Sequence, residues 1–170
     1  MEGLALWEGT ALLWLQDLRG PWNSLIIYYT HLGDGGFFWL TLSCLLLADR
    51  RTRRVGRLAL LALVLGFVLT NLVLKPLVDR PRPWVEVAGL LPLVALPQDA
   101  SFPSGHTCAA FAASLVWARL LPGRNLARLA VVLAVAMGLS RLYVGVHYPS
   151  DVAVGALIGS LSAYLALRWR

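Results

Sequence analysis

Three short polar strings interrupt this chain, and each sets cations, hydroxyls or histidine at the edge of a long apolar run. The first is Lys75-Pro-Leu-Val-Asp-Arg-Pro-Arg82-Pro83, which holds the only lysine of a chain that carries fourteen arginines. A phosphate carries dense negative charge, so a site for it needs several fixed cations and donors. Lys75 offers a compact ammonium, and Arg82 offers a planar fork that can engage two oxygens. Pro81 and Pro83 restrict the backbone on either side of Arg82 and reduce the entropy lost in holding it. Taken alone, Arg80 and Arg82 are accounted for equally well as arginines snorkelling to headgroups.

The second string, Pro103-Ser104-Gly105-His106, stands where a loop runs into an apolar helix. Ser104 can cap that helix, and Gly105 lets a ligand approach the backbone closely. Free amides at the helix start add a place for an anion with a favourable dipole. His106 then faces the same ligand and is suited to donate a proton to a departing oxygen. By itself, a capping turn beside an interfacial histidine is the better account of this string. The third set, Ser140-Arg141 followed by His147 and Asp151, changes the balance. A histidine four residues before an aspartate can share a hydrogen bond with it across one turn. The carboxylate fixes the imidazole tautomer and stabilises the cation formed as the other nitrogen attacks, which is the logic of an activated nucleophile. A helix cap at Ser150 or Asp151 explains these residues singly, but not why all three strings fall on one side of a membrane.

That side follows from the elements that must carry the strings. A hydrophobic fraction of 58% and a mean hydropathy of +0.68 exceed what a soluble domain shows. Apolar runs at 24–48, 56–74, 104–121, 126–145 and 150–167 are long enough to cross a bilayer. They predict an all-α, polytopic transmembrane bundle of about five spans, in a single domain over 1–170 with an active-site loop at 75–103. At the N-terminus, Glu2 and Glu8 and the lack of a basic leader do not fit a secretory signal peptide. On a helical wheel Leu4, Trp7, Ala11, Trp14 and Leu18 share one face, whereas Glu8, Gly9, Gln16 and Arg19 lie elsewhere. The pattern predicts a helix within 1–20 that lies in the interface, a sixth span being the alternative. Gly33-Asp34-Gly35-Gly36 kinks or splits the first run. Asp34 is expected to serve a turn or local packing rather than the site, although an acid in or near lipid is a candidate for function. Cys44 and Cys108 fall in different spans with no metal spacing and are expected to be small buried hydrophobes.

The net charge of +6 is distributed by side. Arg50, Arg51, Arg53, Arg54 and Arg57 fill one loop, Arg119, Arg124 and Arg128 another, and Arg168 and Arg170 end the chain. If the spans alternate, these share one face, which the positive-inside bias makes cytoplasmic. Lys75, Arg80, Arg82 and Arg141 fall on the opposite face, where anion binding gives them a purpose. The charge is therefore a topology signal with a binding site superimposed, and it does not call for a nucleic-acid partner. The expected location is the inner (plasma) membrane, multi-pass, with the active site on the extracytoplasmic face.

The pattern K-x6-R-P, then P-S-G-H, then S-R-x5-H-x3-D resembles the three-part signature of the type 2 phosphatidic acid phosphatase (PAP2) superfamily. Every defining position is filled between Lys75 and Asp151. The resemblance implies a metal-independent phosphatase without a cofactor that forms a phosphohistidine. It makes His147 the nucleophile, Asp151 its partner and His106 the general acid, with Lys75, Arg82, Ser104, Gly105 and Arg141 holding the phosphoryl oxygens. The short length and apolar spans look like the small bacterial membrane members, whose substrates are lipid phosphates within the bilayer. Undecaprenyl diphosphate is the expected substrate, since it is released on the extracytoplasmic face. Phosphatidylglycerol phosphate, phosphatidic acid and lipid A phosphates are the alternatives, as is a water-soluble ester of the kind used by glucose-6-phosphatase. A non-catalytic lipid-phosphate binding or transport protein would keep the cations and lose His106, His147 or Asp151, all of which are present.

Overall fold

Glycine and proline punctuate the apolar runs, and in the computed structural model most helices begin or end close to them. The structure describes residues 2–169, with side chains from Leu6 onward. The helices are α1 (Glu2–Asp17), α2 (Asn23–His31), α3 (Phe37–Leu45), α4 (Arg53–Phe67), α5 (Lys75–Val78), α6 (Pro83–Glu86), α7 (Gly105–Leu120), α8 (Arg124–Tyr143) and α9 (Pro149–Arg168). No strand occurs among the described residues. A polytopic helical bundle is the observed architecture. Three stretches, Arg53–Glu86, Arg124–Tyr143 and Pro149–Arg168, are long and apolar enough to cross a membrane. At 16 residues α7 is shorter, about 24 Å from end to end, and it lies at the centre, packed by α4, α8 and α9.

The run 24–48 does not form one straight span. Gly35 (φ 58°) and Gly36 (φ 72°) adopt left-handed backbone, which glycine alone enters freely, and the chain breaks there into α2 and α3. The break carries Asp34 toward α7, a placement with consequences for the site. Helix α4 is also irregular. A π-helical stretch, Val68–Leu74, joins it to α5, and the Thr70 hydroxyl donates back to the Gly66 carbonyl. Such widened turns re-aim the residues that follow, and here Thr70, Asn71 and Lys75 all line one cavity.

Small residues let α7 and α9 approach closely enough to align their first turns. A Cβ on Gly155 would stand 2.6 Å from the Ser104 carbonyl oxygen, and one on Gly159 would collide with the Cys108 carbonyl. This is the small-xxx-small spacing by which membrane helices pack through backbone proximity. The Ser104 amide consequently donates to the Asp151 carbonyl at 3.0 Å, which ties the second motif to the third. The remaining core is Trp39, Leu58, Val116, Trp117, Met137 and a set of alanines from α4, α7, α8 and α9. Leucines and valines such as Val132, Leu139, Leu157 and Leu161 point outward, as lipid-facing positions do.

Helix α1 turns Trp7 and Trp14 outward, with Leu18 exposed just past its end, and buries Leu12 and Glu8 completely. The outward stripe is the one expected from the wheel, apart from Leu4, whose side chain lies outside those described; the inward carboxylate was not expected. Cys44 departs from expectation: Cys108 is buried, but Cys44 is exposed on α3, because the split of the first run presents that face outward. Arg54 and Arg57 share a surface cavity with Trp169, so the start of α4 and the end of α9 meet at one end of the bundle. Arg170, the last of the arginines assigned to that end, lies outside the described residues.

Candidate active site

Lys75, Arg82 and Arg141 come from three different segments yet line a single cavity of about 430 Å³, together with Gly105, His106 and His147. All three cations are nearly buried, at 8%, 6% and 3% exposure. Buried charge of this kind is costly unless partnered. The partner for two of them is Asp99, whose carboxylate pairs with the Lys75 ammonium and accepts from Arg82 Nη2 at 2.6 Å. Partial burial pushes the Asp99 carboxyl up, but the bonds and charges of Lys75 and Arg82 outweigh it and hold the group down to about 2. Arg141 pairs with no carboxylate among the described residues. Its Nη1 donates to the Thr30 hydroxyl at 2.7 Å, and its buried Nε has no acceptor. Three cations around the cavity thus have one paired carboxylate between them among the described residues, an excess of positive charge.

Arg82 also organises the backbone. Its Nε donates to the Asp99 carbonyl at 2.9 Å and its Nη1 to the Val146 carbonyl at 2.8 Å, while Nη1 lies 3.1 Å from His147 Nε2. The other ring nitrogen of His147, Nδ1, lies 3.4 Å from Asp151 Oδ2. With Nδ1–H donating to the carboxylate, Nε2 keeps a lone pair that can accept from Arg82 Nη1, at the edge of the cavity that His147 lines. Burial pushes the imidazole well below its ordinary pKa; the Asp151 bond opposes this, while the nearby Arg82 and Arg141 charges add to it. Asp151 is fully buried and its Oδ2 also accepts from Ser101 at 2.5 Å and from the Tyr148 amide at 2.9 Å. The latter bond is the carboxylate half of a capping box at the start of α9. One side chain therefore starts a helix and orients the histidine preceding it.

Ser104 and Asp151 stand behind the cavity wall rather than in it. Ser104 caps α7, its oxygen accepting weakly from the Thr107 amide at 3.4 Å and from the Thr107 hydroxyl at 2.9 Å. His106 projects from the first turn of α7, and its Nε2 lies 2.9 Å from Asp34 Oδ1, with His31 Nδ1 at 2.7 Å from the other oxygen. A Cβ on Gly33 would stand 2.7 Å from the His106 ring, so the glycine turn makes room for it. Asp34, set aside as a turn residue on sequence grounds, is thus in contact with the site. Asp99, Ser101 and Thr30 are further participants that no motif spacing marks. The expected loop 75–103 is partly helical, at 75–78 and 83–86, while 79–82 and 87–103 lack regular structure.

The cavity continues from this polar end to an apolar one lined by Leu40, Leu60, Leu63, Val64 and Phe67 of α3 and α4. An anion held at the cations would lead its attached chain along that groove. The model of the PAP2 superfamily matches residues 56–170. The chain is 32% identical over 146 residues to the undecaprenyl-diphosphatase of Sulfolobus acidocaldarius, covering 86% of this chain and 69% of that protein. It is 38% identical over 134 residues to the decaprenylphosphoryl-5-phosphoribose phosphatase of Mycobacterium tuberculosis, covering 77% and 71%. The crystal structure of a transmembrane PAP2-type phosphatidylglycerolphosphate phosphatase from Bacillus subtilis superposes with a TM-score of 0.81 at 28% identity, covering all of this chain and 90% of that one. A signature carried by ordered motifs, a matched family model and a shared fold lead to one placement: the chain belongs to the PAP2 superfamily and is a membrane-embedded lipid phosphatase.

Proposed function

We propose that this enzyme hydrolyses a polyprenyl diphosphate, undecaprenyl diphosphate in the first place, through a phosphohistidine at His147 on the extracytoplasmic face of the plasma membrane. The observation that carries this reading is the single cavity with Lys75, Arg82 and Arg141 at one end and the α3–α4 apolar groove at the other. A phosphoryl dianion supplies the negative charge that one carboxylate leaves lacking and an acceptor for Arg141 Nε. It displaces Asp99 from Lys75 and Arg82 as it enters. The Gly105 amide at the start of α7 adds a donor, while Ser104, expected from the motif to hold a phosphoryl oxygen, lies behind the wall and caps the helix that aims that amide.

His147 Nε2 then attacks phosphorus, and the bond to the leaving oxygen breaks with its electron pair. Asp151 stabilises the imidazolium that forms, and His106 donates a proton to the departing oxygen. In the second half, His106 takes a proton from water, the resulting hydroxide attacks phosphorus, and the N–P bond breaks to restore His147. Among the similar proteins described, two are named for polyprenyl substrates, which favours that class over glycerophospholipids. Phosphate release from the detergent-solubilised enzyme in EDTA tests the reading. Undecaprenyl diphosphate is expected to give the highest kcat/KM, above phosphatidylglycerol phosphate, phosphatidic acid and a lipid A phosphate, with glucose 6-phosphate lowest. Activity should survive the chelator, because the cations already neutralise the phosphate. Preference for another lipid would sink the substrate assignment, and loss of turnover on chelation, restored by magnesium, would sink the mechanism.

Orientation is tested separately. Ala95 lies exposed in the loop above the site, and Arg51 lies exposed in the arginine-rich turn before α4. A membrane-impermeant thiol reagent applied to intact cells is expected to label Ala95→Cys and to leave Arg51→Cys unlabelled. The reverse pattern would place the site in the cytoplasm and remove the reason for preferring a substrate released outside.

A further inference from the structure

Glu8 is fully buried in a helix whose opposite face is apolar, an arrangement that only strong partners make tolerable. Those partners lead to the catalytic pair. Glu8 Oε2 accepts from Arg80 Nη2 at 2.7 Å, and Arg80 Nη1 donates to Asp151 Oδ1 at 2.8 Å. We propose that Glu8 and Arg80 are positioning residues for the reaction, a chain Glu8–Arg80–Asp151, its two carboxylates fully buried and its guanidinium partly so, through which α1 holds the His147 imidazole in its attacking orientation. This rests on reading His147 and Asp151 as nucleophile and partner.

The geometry leaves Arg80 little freedom. Its Nη1 donates also to the Ser150 hydroxyl at 2.7 Å, and its guanidinium carbon sits 3.8 Å from the centre of the Tyr148 ring. Glu8 Oε1 accepts from the Ser150 amide at 2.7 Å, so the same carboxylate holds the first turn of α9. At Asp151, Oδ2 serves Ser101, the Tyr148 amide and His147, while Oδ1 has only Arg80 among the described residues. Removing Arg80 frees one end of that carboxylate to rotate away from Nδ1. Helix α1 is fastened at its other end too, where Gln16 accepts from the Leu91 amide at 2.7 Å and donates to the Gly89 carbonyl at 3.0 Å.

Charge argues in the same direction. The attack on phosphorus turns a neutral imidazole into a cation beside Asp151. With Glu8 ionised, Arg80 divides its charge between two carboxylates, and the group behind His147 remains net negative. Neutralising Glu8 gives the whole guanidinium to Asp151 and weakens it as a partner for the new cation, an effect that water screens less around two fully buried carboxylates than at a surface. Neither Glu8 nor Arg80 lines the cavity, so neither touches substrate. Glu8 also precedes the segment matched by the family model, and Arg80 is not one of the three motifs' defining positions.

The test uses Glu8→Gln, close to isosteric, and Arg80→Lys, which keeps a cation but cannot fork between two carboxylates. Each is expected to lower kcat by about 10- to 100-fold, the range typical of losing a partner that orients a reactive side chain. KM and inhibition by inorganic phosphate should stay within about threefold, while inhibition by vanadate, which mimics the transition state at Nε2, weakens in step with kcat. Introduced into Asp151→Asn, the same substitutions should change kcat by less than about threefold, because the residue they act through has already lost its charge. Unchanged kcat in both single variants, equal weakening of phosphate and vanadate, or a fully additive loss in the Asp151→Asn background would each overturn the proposal. Full activity of Asp151→Asn alone would instead overturn the reading of the His147–Asp151 pair on which it rests.

Discussion

His147→Ala is expected to lower kcat by about 10⁵-fold or more, the scale on which removal of a covalent nucleophile acts. The fold should survive, since Asp151 retains Ser101, the Tyr148 amide and Arg80, and α9 keeps its cap. Quenching the wild-type enzyme in alkaline denaturing detergent after reaction with ³²P-labelled substrate should trap a phosphoenzyme that is stable to base and labile to acid, as a phosphoramidate is. The label should map to His147 and be missing from the alanine variant. Label on another residue would end the assignment. Because burial holds the free-enzyme imidazole below its ordinary value of 6.5, the nucleophile is neutral at and somewhat below neutral pH. Protonation disables it only as pH falls through the depressed value, so any acid limb it sets on kcat/KM lies below 6.5.

What the sequence discloses and what it withholds divide along physical lines. Lys75, Arg82, His106, Arg141 and His147 were legible because each sits in a short string whose spacing fits a helix start or end, and the cavity does gather these residues. Asp151 was legible from its spacing to His147, but the other anionic counterparts were not. Asp99 lies in an irregular loop 24 residues from Lys75, and Glu8 lies 72 residues before Arg80. Nothing in local periodicity marks such pairs. Glu8 gave a faint signal, an acid within an otherwise apolar helix, but a wheel assigns it to solvent as readily as to a buried arginine. Asp34 was visible as a polar break in an apolar run. Only the left-handed turn at Gly35 and Gly36 shows that the break folds back against His106. The apolar runs revealed the bundle: the run 104–121 matches α7 to within one residue at each end, and the glycine-rich interruption falls where the first run divides into α2 and α3.

Arg82 is the cation on which the largest loss after His147 is expected, because it joins recognition to nucleophile placement. Its donors reach the Asp99 carboxylate and carbonyl, the Val146 carbonyl and the vicinity of His147 Nε2, all from one planar fork. In the reaction as proposed, the donor now on the Asp99 carboxylate meets a phosphoryl oxygen as charge builds there, while the bonds to the Asp99 and Val146 carbonyls keep the loop and the turn before His147 in place. Arg82→Ala is therefore expected to lower kcat/KM by about 10³-fold, the upper range for a donor aimed at developing charge. Arg82→Lys should recover little of this, since one ammonium cannot reproduce the separate directions of the guanidinium N–H groups. Lys75→Arg, by contrast, should retain much of its function, because Lys75 meets Asp99 as a single charge and holds no backbone in place. Steady-state kinetics on undecaprenyl diphosphate with the three variants separates the two roles. If Arg82→Lys stays within about tenfold of the wild type, a point charge is enough, and the fork geometry has no part in placing the nucleophile.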